Sequence, residues 1–371
     1  MNTSRVTEAA ALPANLPRIA TFDLIRGLAV VFMIVIHVLD FYGAPEVHES
    51  LVGVVLAFAI GWPAASVFVF VMGIFVTYSS KRSLARGLKR AASLFLLGYL
   101  LNLARGSIPM WASLQMGLVS HEELGAHSPL TEFLIFDILQ FAGLALALCV
   151  LLKHFLPRPE YWLAASLLVI FCSPFFWTLS SGFTPVDEFF KMLGGDHSEG
   201  AMFPLFPWLA YPLAGMAFGQ WLREAGNNRR LFQKTLWFGL ALFVVGGLAI
   251  STSPEYHVGH NLRSGPGVTL VVMGFVLVTL WACQWVTERA HGSRWLNPLY
   301  FWGKYVTAIY VTQWVLIGWG LLPFGLQQLN WLQTFLMMLT VLVLSDVSVR
   351  SWLWFRQRPL RINILSRAKF E

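Results

Sequence analysis

Four polar side chains that could do chemistry stand within one apolar stretch, residues 17–40. The stretch reads PRIATFDLIRGLAVVFMIVIHVLD and carries Asp23, Arg26, His37 and Asp40. Charged groups in hydrocarbon cost about 2.5–3.5 kcal/mol each on insertion scales, so they are seldom retained there without a task. Arg26 and His37 are eleven residues apart, which on a helix gives a shared face and an axial separation of about 16 Å. The stretch predicts a membrane helix with a cation near one end and an imidazole inside.

Each of these groups has a chemical role that suits its type. The Arg26 guanidinium could bind a phosphate or pyrophosphate through charge-assisted hydrogen bonds, with Asp23 holding it in place. His37 could act as a general base, and Asp40, about one turn later, could orient its ring. The structural alternative is an interfacial ion pair between Asp23 and Arg26, with His37 hydrogen-bonded inside a helix bundle. Because all four groups fall in one span, we favour the functional interpretation.

A second histidine, His48, follows this span in a predicted outer loop and precedes Glu49. A neighbouring carboxylate favours the charged form of an imidazole, so His48 is a second candidate for proton transfer. A histidine in a loop is, however, usually just solvated. The sequence alone leaves both interpretations open.

A basic turn, KRSLARGLKR at residues 81–90, includes Lys81 and Arg82. It could bind the phosphates of a cytoplasmic nucleotide. The excess of Lys and Arg in cytoplasmic loops of membrane proteins explains the same turn without any ligand.

The composition indicates an all-α polytopic membrane protein. Of the 371 residues, 57% are hydrophobic and 12% are charged, and the mean hydropathy is +0.63, whereas soluble domains carry about 25% charged residues. Apolar stretches of membrane-spanning length predict about ten transmembrane helices. They lie near residues 24–44, 52–79, 90–105, 131–152, 160–178, 204–222, 235–252, 267–287, 299–322 and 331–350. The second stretch is overlong and should break at Gly61-Trp62-Pro63.

The basic residues predict how the chain is oriented. With both termini in the cytoplasm, every Lys and Arg except Arg105, Lys191 and Arg263 falls in or at the edge of a cytoplasmic segment, as the positive-inside rule requires. We accordingly divide the chain into a disordered cytoplasmic N-terminus at 1–16, a transmembrane domain at 17–352 and a basic cytoplasmic tail at 353–371.

Polar residues within other predicted spans should face the bundle interior. We expect most of them to bridge helices by hydrogen bonds and a minority to line a tunnel. They are Asp137, Gln140, Lys304, Tyr305, Tyr310, Gln313 and Asp346. In the sixth span, Gly215 and Gly219 have the small-xxx-small spacing that allows two helices to approach closely.

Several classes of site are not indicated. Cys149, Cys172 and Cys283 fall in apolar runs, which suits buried small side chains better than a disulfide or a metal site. The chain has no Walker loop, no dinucleotide-binding glycine pattern and no G-x-S-x-G turn. We therefore expect no bound metal and neither an ATP-driven pump nor a covalent serine enzyme. The net charge of +7 maps to loops, so nucleic acid is not an expected partner.

The opening segment PRIATFDLIRGLAVVFMIVIH resembles the first motif of the heparan-alpha-glucosaminide N-acetyltransferase catalytic-domain family and its bacterial relatives. Further segments agree in order: ASVFVFVMGIFVTYSSKR, FDILQFAGLALAL, FPLFPWLAYPLAGMAFG and YFWGKYVTAIYVTQW. The first and fourth of these five segments are the specific ones. The Arg26-x10-His37 spacing is also similar to that of membrane O-acyltransferases that modify surface polysaccharides.

The resemblance implies an acetyltransferase that takes acetyl from cytoplasmic acetyl-CoA and delivers it to a sugar hydroxyl or amine outside. Arg26 with Asp23 belongs to the opening motif, and Lys81 and Arg82 are further candidates for binding the donor. His37 occupies the motif's histidine position. In the heparan-type branch that position is commonly asparagine and the catalytic histidine lies beyond it, where His48 would match. The resemblance thus leaves two catalytic candidates.

The same resemblance implies a multi-pass protein of the bacterial inner membrane. Its expected partners are acetyl-CoA, an extracytoplasmic glycan or amino sugar, the lipid bilayer and a second copy of the chain in a homodimer. Relatives often carry a histidine where this chain has Thr312-Gln313, so any role of that histidine does not transfer. The alternative function is a transporter or flippase for a glycan, lipid or anion, which would share the spans and the intramembrane charges.

Overall fold

The structure is a computed structural model that describes residues 19–78, 83–177, 179–195, 201–225, 228–260, 263–290 and 292–357. The predicted N-terminal segment 1–16, the candidate residues Lys81 and Arg82, and positions 358–371 of the predicted tail lie outside these ranges.

The described residues form nineteen α-helices and one β-hairpin, in which each strand has two residues. In chain order the helices are α1 (Ala20–Tyr42), α2 (Pro45–Glu49), α3 (Leu51–Leu56), α4 (Trp62–Tyr78), α5 (Leu84–Asn102), α6 (Ile108–Gln115), α7 (His121–Leu124), α8 (Pro129–Leu134), α9 (Ile138–Phe155), α10 (Pro159–Cys172), α11 (Thr184–Gly194), α12 (Leu205–Trp208), α13 (Ala210–Glu224), α14 (Asn228–Thr252), α15 (Pro254–Val258), α16 (Pro266–Arg289), α17 (Asn297–Lys304), α18 (Val306–Phe324) and α19 (Trp331–Gln357). The antiparallel hairpin pairs β1 (Gly259–His260) with β2 (Arg263–Ser264).

Eight helical segments in the described ranges are long and apolar enough to cross a membrane. They are α1, the continuous segment Leu84–Gln115, α9, Pro159–Phe176, α14, α16, α18 and α19. This confirms an all-α polytopic membrane protein. The predicted count of ten is not confirmed, because the stretches 52–79 and 204–222 form the shorter helices α4 and α13, of 17 and 15 residues. A span needs about 20 residues. The cytoplasmic placement of the termini stays a prediction.

The helices α4 and α13 pack against each other through glycines. A Cβ atom at Gly215 would lie 2.1 Å from the Phe70 carbonyl oxygen, and one at Gly219 would lie 2.5 Å from that of Ile74. From the other side, a Cβ atom at Gly73 would lie 2.0 Å from the Pro212 carbonyl oxygen. Such contacts require backbone-to-backbone approach. They confirm the predicted small-xxx-small contact of the sixth span.

The second apolar stretch breaks where predicted. A π-helical turn at Ala57–Gly61 separates α3 from α4. A similar π-helical turn at Leu103–Ser107 joins α5 to α6. Such turns are rare and are often found at functional sites, and the second of them carries a residue of the candidate site.

Helix α1 lies in the middle of the bundle and has two distinct ends. It packs against α4, α16, α17, α18 and α19, and residues such as Phe22, Val30, Ile34 and Val38 are fully buried. Arg26 lies near its first turn and His37 near its last. We refer to these as the Arg26 end and the His37 end of the bundle. Because α18 packs against α1 and runs in the same direction, Thr307 lies at the Arg26 end and Gln313 lies at the His37 end.

Candidate functional site

At the Arg26 end, the predicted pair of Asp23 and Arg26 is formed within α1. Arg26 Nη2 lies 2.6 Å from Asp23 Oδ1, and Arg26 Nε donates to the Phe22 carbonyl oxygen over 3.0 Å. The guanidinium also lies 5.0 Å from the ring centroid of Phe75. The Asp23 side chain is 5% exposed and that of Arg26 is 22% exposed. Asp23 thus fixes the guanidinium from within, while part of Arg26 remains open to a ligand.

A cavity of about 260 Å³ opens beside Arg26. Its walls are mainly apolar side chains of α4, α5 and α9. Its polar lining is Arg26, Ser83, Arg90, Lys153, His154 and Thr307. Lys153 Nζ donates to the Val76 carbonyl oxygen over 2.6 Å, which holds this cation at the cavity wall. The predicted donor-binding residues Lys81 and Arg82 lie outside the described ranges but immediately precede Ser83 in the sequence. A cavity with apolar walls and three cationic side chains suits a ligand with an anionic part and an elongated, less polar part.

At the opposite end of α1, the ring of His37 is held by two neighbouring residues of α18. The Gln313 amide nitrogen donates to His37 Nδ1 over 3.2 Å, which leaves the proton of a neutral imidazole on Nε2. The rings of His37 and Trp314 stack at 4.1 Å between centroids, with 32° between planes. His37 is half-buried. The described partners of His37 are therefore residues of another helix. They bind Nδ1 and leave Nε2 without a hydrogen bond from a described residue.

A buried ion pair that the sequence did not predict stands next to this histidine. Arg105 Nη2 lies 2.6 Å from Asp137 Oδ2, and the guanidinium lies 3.9 Å from the ring centroid of Trp314. Both charged groups interact electrostatically with His37. Arg105 was assigned to the outer side as an exception to the charge rule. Its position at the end of an apolar run, with Asp137 opening another, was the available signal.

The second candidate histidine, His48, lies in the short helix α2 that follows α1. Its Nε2 is buried and has no hydrogen-bond partner among the described residues. Its imidazole interacts electrostatically with Asp40. The Asp40 backbone oxygen accepts a hydrogen bond from Gln327 Nε2 over 3.1 Å. Asp40 therefore interacts electrostatically with His48, whereas the contacts that orient His37 come from Gln313 and Trp314.

Among the other polar groups predicted to bridge helices, Asp346 makes such a contact. Trp302 Nε1 of α17 donates to Asp346 Oδ1 of α19 over 2.6 Å. Gln140 and Gln313 are fully buried, and the Oε1 atom of each has no hydrogen-bond partner among the described residues. Along the chain, Gln140 lies between Asp137, which interacts electrostatically with His37, and Ala142, which lines the cavity. In the described ranges, no group of three or more His, Cys, Asp or Glu side chains is placed to hold a metal ion.

A comparison with known protein families identifies the family of this chain. Residues 18–250 match the family described as heparan-alpha-glucosaminide N-acetyltransferase, catalytic. The chain belongs to this family. The resemblance inferred from the sequence is thereby confirmed, and with the eight membrane-length helices it makes the protein a multi-pass membrane transferase of the N-acetyltransferase kind. Curated proteins give no match to the chain.

The family match includes most of the candidate site but not all of it. Arg26, His37 and His48 fall within residues 18–250, as do Arg105 and Asp137. The residues Gln313 and Trp314, which hold the ring of His37, fall outside the matched range. The surroundings of His37 are thus completed by α18, which lies beyond the residues that match the N-acetyltransferase family.

Proposed function

We propose that the protein transfers an acetyl group from cytoplasmic acetyl-CoA to a hydroxyl or amine of a sugar on the other side of the membrane. The observation that carries this proposal is the placement of a cavity with cationic lining at one end of α1 and of His37 and His48 towards the other. A donor with a phosphate-bearing end and a reactive thioester end needs such a separation.

The donor would enter at the Arg26 end. Arg26, Arg90 and Lys153 line the cavity and would bind the phosphates of CoA, because charge-assisted hydrogen bonds to phosphate are among the strongest available. The apolar walls would accept the pantetheine arm. The Oε1 atoms of Gln140 and Gln313, which have no hydrogen-bond partner within the described ranges, could accept hydrogen bonds from its two amide groups. We keep Lys81 and Arg82 as further candidates for phosphate binding.

The thioester would react beside His48 and His37. His48 would supply the imidazole of either route below, because His37 Nδ1 accepts from Gln313 and its Nε2 then carries a proton, which suits it to donate a hydrogen bond to the acetyl group or the acceptor. In the direct route, the imidazole takes the proton of the acceptor O–H or N–H while the acceptor atom attacks the thioester carbonyl. The carbon–sulfur bond breaks, and the CoA thiolate recovers that proton from the imidazolium. In the two-step route, an imidazole nitrogen attacks the thioester carbonyl, the carbon–sulfur bond breaks and CoA leaves as the thiolate. The acceptor then takes the acetyl group from the acetyl-histidine, and the acceptor proton passes to the CoA thiolate.

Between the two histidines, His48 is our first choice for the proton-transfer step. Its Nε2 is free of hydrogen bonds within the described part of the chain, and Asp40 interacts with its imidazole. A carboxylate beside a histidine stabilises the imidazolium that forms as the acceptor loses its proton. Asp40 would then act on His48, and His37 would contact the acetyl group or the acceptor.

The test uses purified protein in lipid nanodiscs with labelled acetyl-CoA. Glucosamine and methyl glucoside serve as probe amine and hydroxyl acceptors. We expect His48→Ala to lower acetyl transfer by about 10²–10⁴-fold, the usual contribution of an acid–base group. His121→Ala is the matched control, because His121 is an exposed histidine of another short helix and should leave transfer unchanged.

Two outcomes would contradict the proposal. The first is undiminished transfer by the combined His37→Ala/His48→Ala variant. The second is a wild-type protein that neither binds nor turns over acetyl-CoA, which would favour the alternative of a transporter or flippase.

Sidedness is a separate part of the proposal. In a chain whose Cys149, Cys172 and Cys283 are replaced by Ala, we expect Ser293→Cys to react with an impermeant thiol reagent from the cytoplasmic side only. Ser120→Cys should react from the opposite side only. The inverse pattern would place the Arg26 cavity outside and contradict a cytoplasmic donor.

A further inference from the structure

The π-helical turn at Leu103–Ser107 brings Arg105 against α18 at the His37 end. A Cβ atom at Gly318 would lie 1.8 Å from the Arg105 carbonyl oxygen, so the two backbones are in direct contact there. Trp319 Nε1 donates to the Ala104 carbonyl oxygen over 3.0 Å. The turn is thus fastened to α18 one turn beyond Trp314. This attachment fixes where the Arg105 side chain starts.

The guanidinium itself is fixed by two polar side chains. Asp137 Oδ2 lies 2.6 Å from Arg105 Nη2, and Asn102 Oδ1 accepts from the same nitrogen over 3.3 Å. Asp137 is held in turn, because its Oδ1 accepts the backbone N–H of Ile138 over 2.7 Å. Asn102 Nδ2 donates to the carbonyl oxygens of Phe133 and Ile135. Asp137 and Asn102 are therefore both held by backbone atoms of the segment from α8 to the start of α9.

The fixed guanidinium meets the indole of Trp314, and the indole meets His37. Arg105 Cζ lies 3.9 Å from a ring centroid of Trp314, and the His37 ring centroid lies 4.1 Å from a ring centroid of Trp314. Planar guanidinium groups bind well over an indole face, with a larger gain where both are desolvated. Gln313, next to Trp314, binds His37 Nδ1. Two adjacent residues of α18 therefore restrain the imidazole through its ring face and one nitrogen.

General stability does not account well for this arrangement. A buried ion pair commonly stabilises a protein no better than apolar side chains of similar volume. What the pair does here is geometrical, since Asp137 orients a flat cation on the ring that contacts His37. The remaining edge of His37, with Nε2, is left for a ligand.

We propose that Arg105, Asp137 and Trp314 are positioning residues for acetyl transfer that act by fixing the ring of His37. The inference rests on the proposed function, because it assigns these residues to that reaction. They act at the His37 end, away from the Arg26 cavity, and so should affect the chemical step and not donor binding.

The test is a double-mutant cycle on acetyl transfer in nanodiscs. We expect Trp314→Leu to lower kcat by about 10- to 100-fold, the scale of a small misplacement of a reacting group. The Kd for CoA should stay within about 2-fold, because the cavity residues are untouched. In a His37→Asn background, Trp314→Leu should cause no further loss, since residues that act as a unit have non-additive effects.

A second pair of variants guards against loss of folding. Trp314→Phe keeps an aromatic face and should recover a large part of kcat relative to Trp314→Leu. The charge-neutral pair Arg105→Gln/Asp137→Asn should lower kcat in the wild-type background and not in the His37→Asn background. Trp237→Leu is the matched control, because Trp237 is 70% exposed on the outer face of α14, and it should change neither kcat nor Kd.

The outcomes separate the two proposals. A wild-type protein without acetyl transfer overturns the proposed function and this inference with it. An active wild type in which the losses from Trp314→Leu and His37→Asn multiply overturns this inference alone. So does a Trp314→Phe variant that is no more active than Trp314→Leu.

Discussion

Arg105 and Asp137 are 32 residues apart in the chain and meet in a 2.6 Å ion pair, with 11% and 9% of their side chains exposed. Removing one partner leaves the other charge buried, which costs about 3–5 kcal/mol. We expect Arg105→Gln to lower the Tm of the detergent-solubilised protein markedly. Arg105→Gln/Asp137→Asn, which removes both charges, should restore much of that loss. Equal Tm values for the single and double variants would show that the pair is not a buried ionic contact.

The glycine contact between α4 and α13 predicts a strong effect from a single methyl group. At Gly215 a Cβ atom would lie 2.1 Å from the Phe70 carbonyl oxygen, so Gly215→Ala must separate the two helices. We expect loss of packing of about 1–3 kcal/mol, the range for inserting methyl groups into a packed interior, read as a lower Tm and a lower yield of monodisperse protein. The control is Gly247→Ala in α14, where nothing lies within 4 Å. There the better helix propensity of Ala should keep or slightly raise the Tm.

Arg90 at the cavity predicts a donor-binding effect that leaves chemistry intact. Arg90→Gln removes a cationic group that lines the cavity, and we expect the KM for acetyl-CoA to rise by about 10-fold or more with kcat nearly unchanged, as for loss of a charge-assisted hydrogen bond. The measurement is the initial rate against acetyl-CoA concentration at two salt concentrations. Arg86→Gln is the matched control, because Arg86 lies one turn away in α5, is exposed and is absent from the cavity lining. Similar KM values for both variants would contradict a phosphate-binding role for the cavity.

The electrostatic interaction between Asp40 and His48 predicts which carboxylate supports the reaction. Asp40→Asn should lower kcat by about 10-fold or more, because the imidazolium loses its compensating charge. The same change added to His48→Ala should have no further effect. Glu49→Gln is the control, since Glu49 is exposed and adjacent to His48 in sequence. A loss of kcat for Glu49→Gln and not for Asp40→Asn would reverse the assignment.

What could be predicted from the sequence follows from the range of the interactions. Asp23 and Arg26 are three residues apart, so helical periodicity alone predicted their ion pair. The spacing of Gly215 and Gly219 predicted a close helix contact for the same reason. Counting apolar runs gave about ten spans, and this count is not confirmed, because the stretches 52–79 and 204–222 form the helices α4 and α13, which are shorter than a span needs.

The surroundings of His37 depend on contacts between distant segments and could not be predicted in this way. Helical spacing suggested Asp40 as its orienting group, yet the ring of His37 is held by Gln313 and Trp314 of α18, and Asp40 interacts electrostatically with His48. Arg105 entered the sequence prediction only as an exception to a charge rule. Its role depends on α5, α9 and α18 meeting at one level, which no local pattern encodes.

The connection between α18 and α19 is hydrogen-bonded to the C-terminal end of α1 and to Ala44 just beyond it. Gln327 donates its backbone N–H to Phe41, Leu329 donates to Tyr42, and Ala44 donates to Leu329. Gln327 and Leu329 lie some eighty residues beyond the last position that matches the acetyltransferase family. A fragment that ends at residue 250 would keep Arg26, His37 and His48 but lose Gln313 and Trp314, which hold the ring of His37. The unit to express, swap between relatives or complement in two pieces is therefore the bundle through α19, and a split within the α18–α19 connection should be the least tolerated of all.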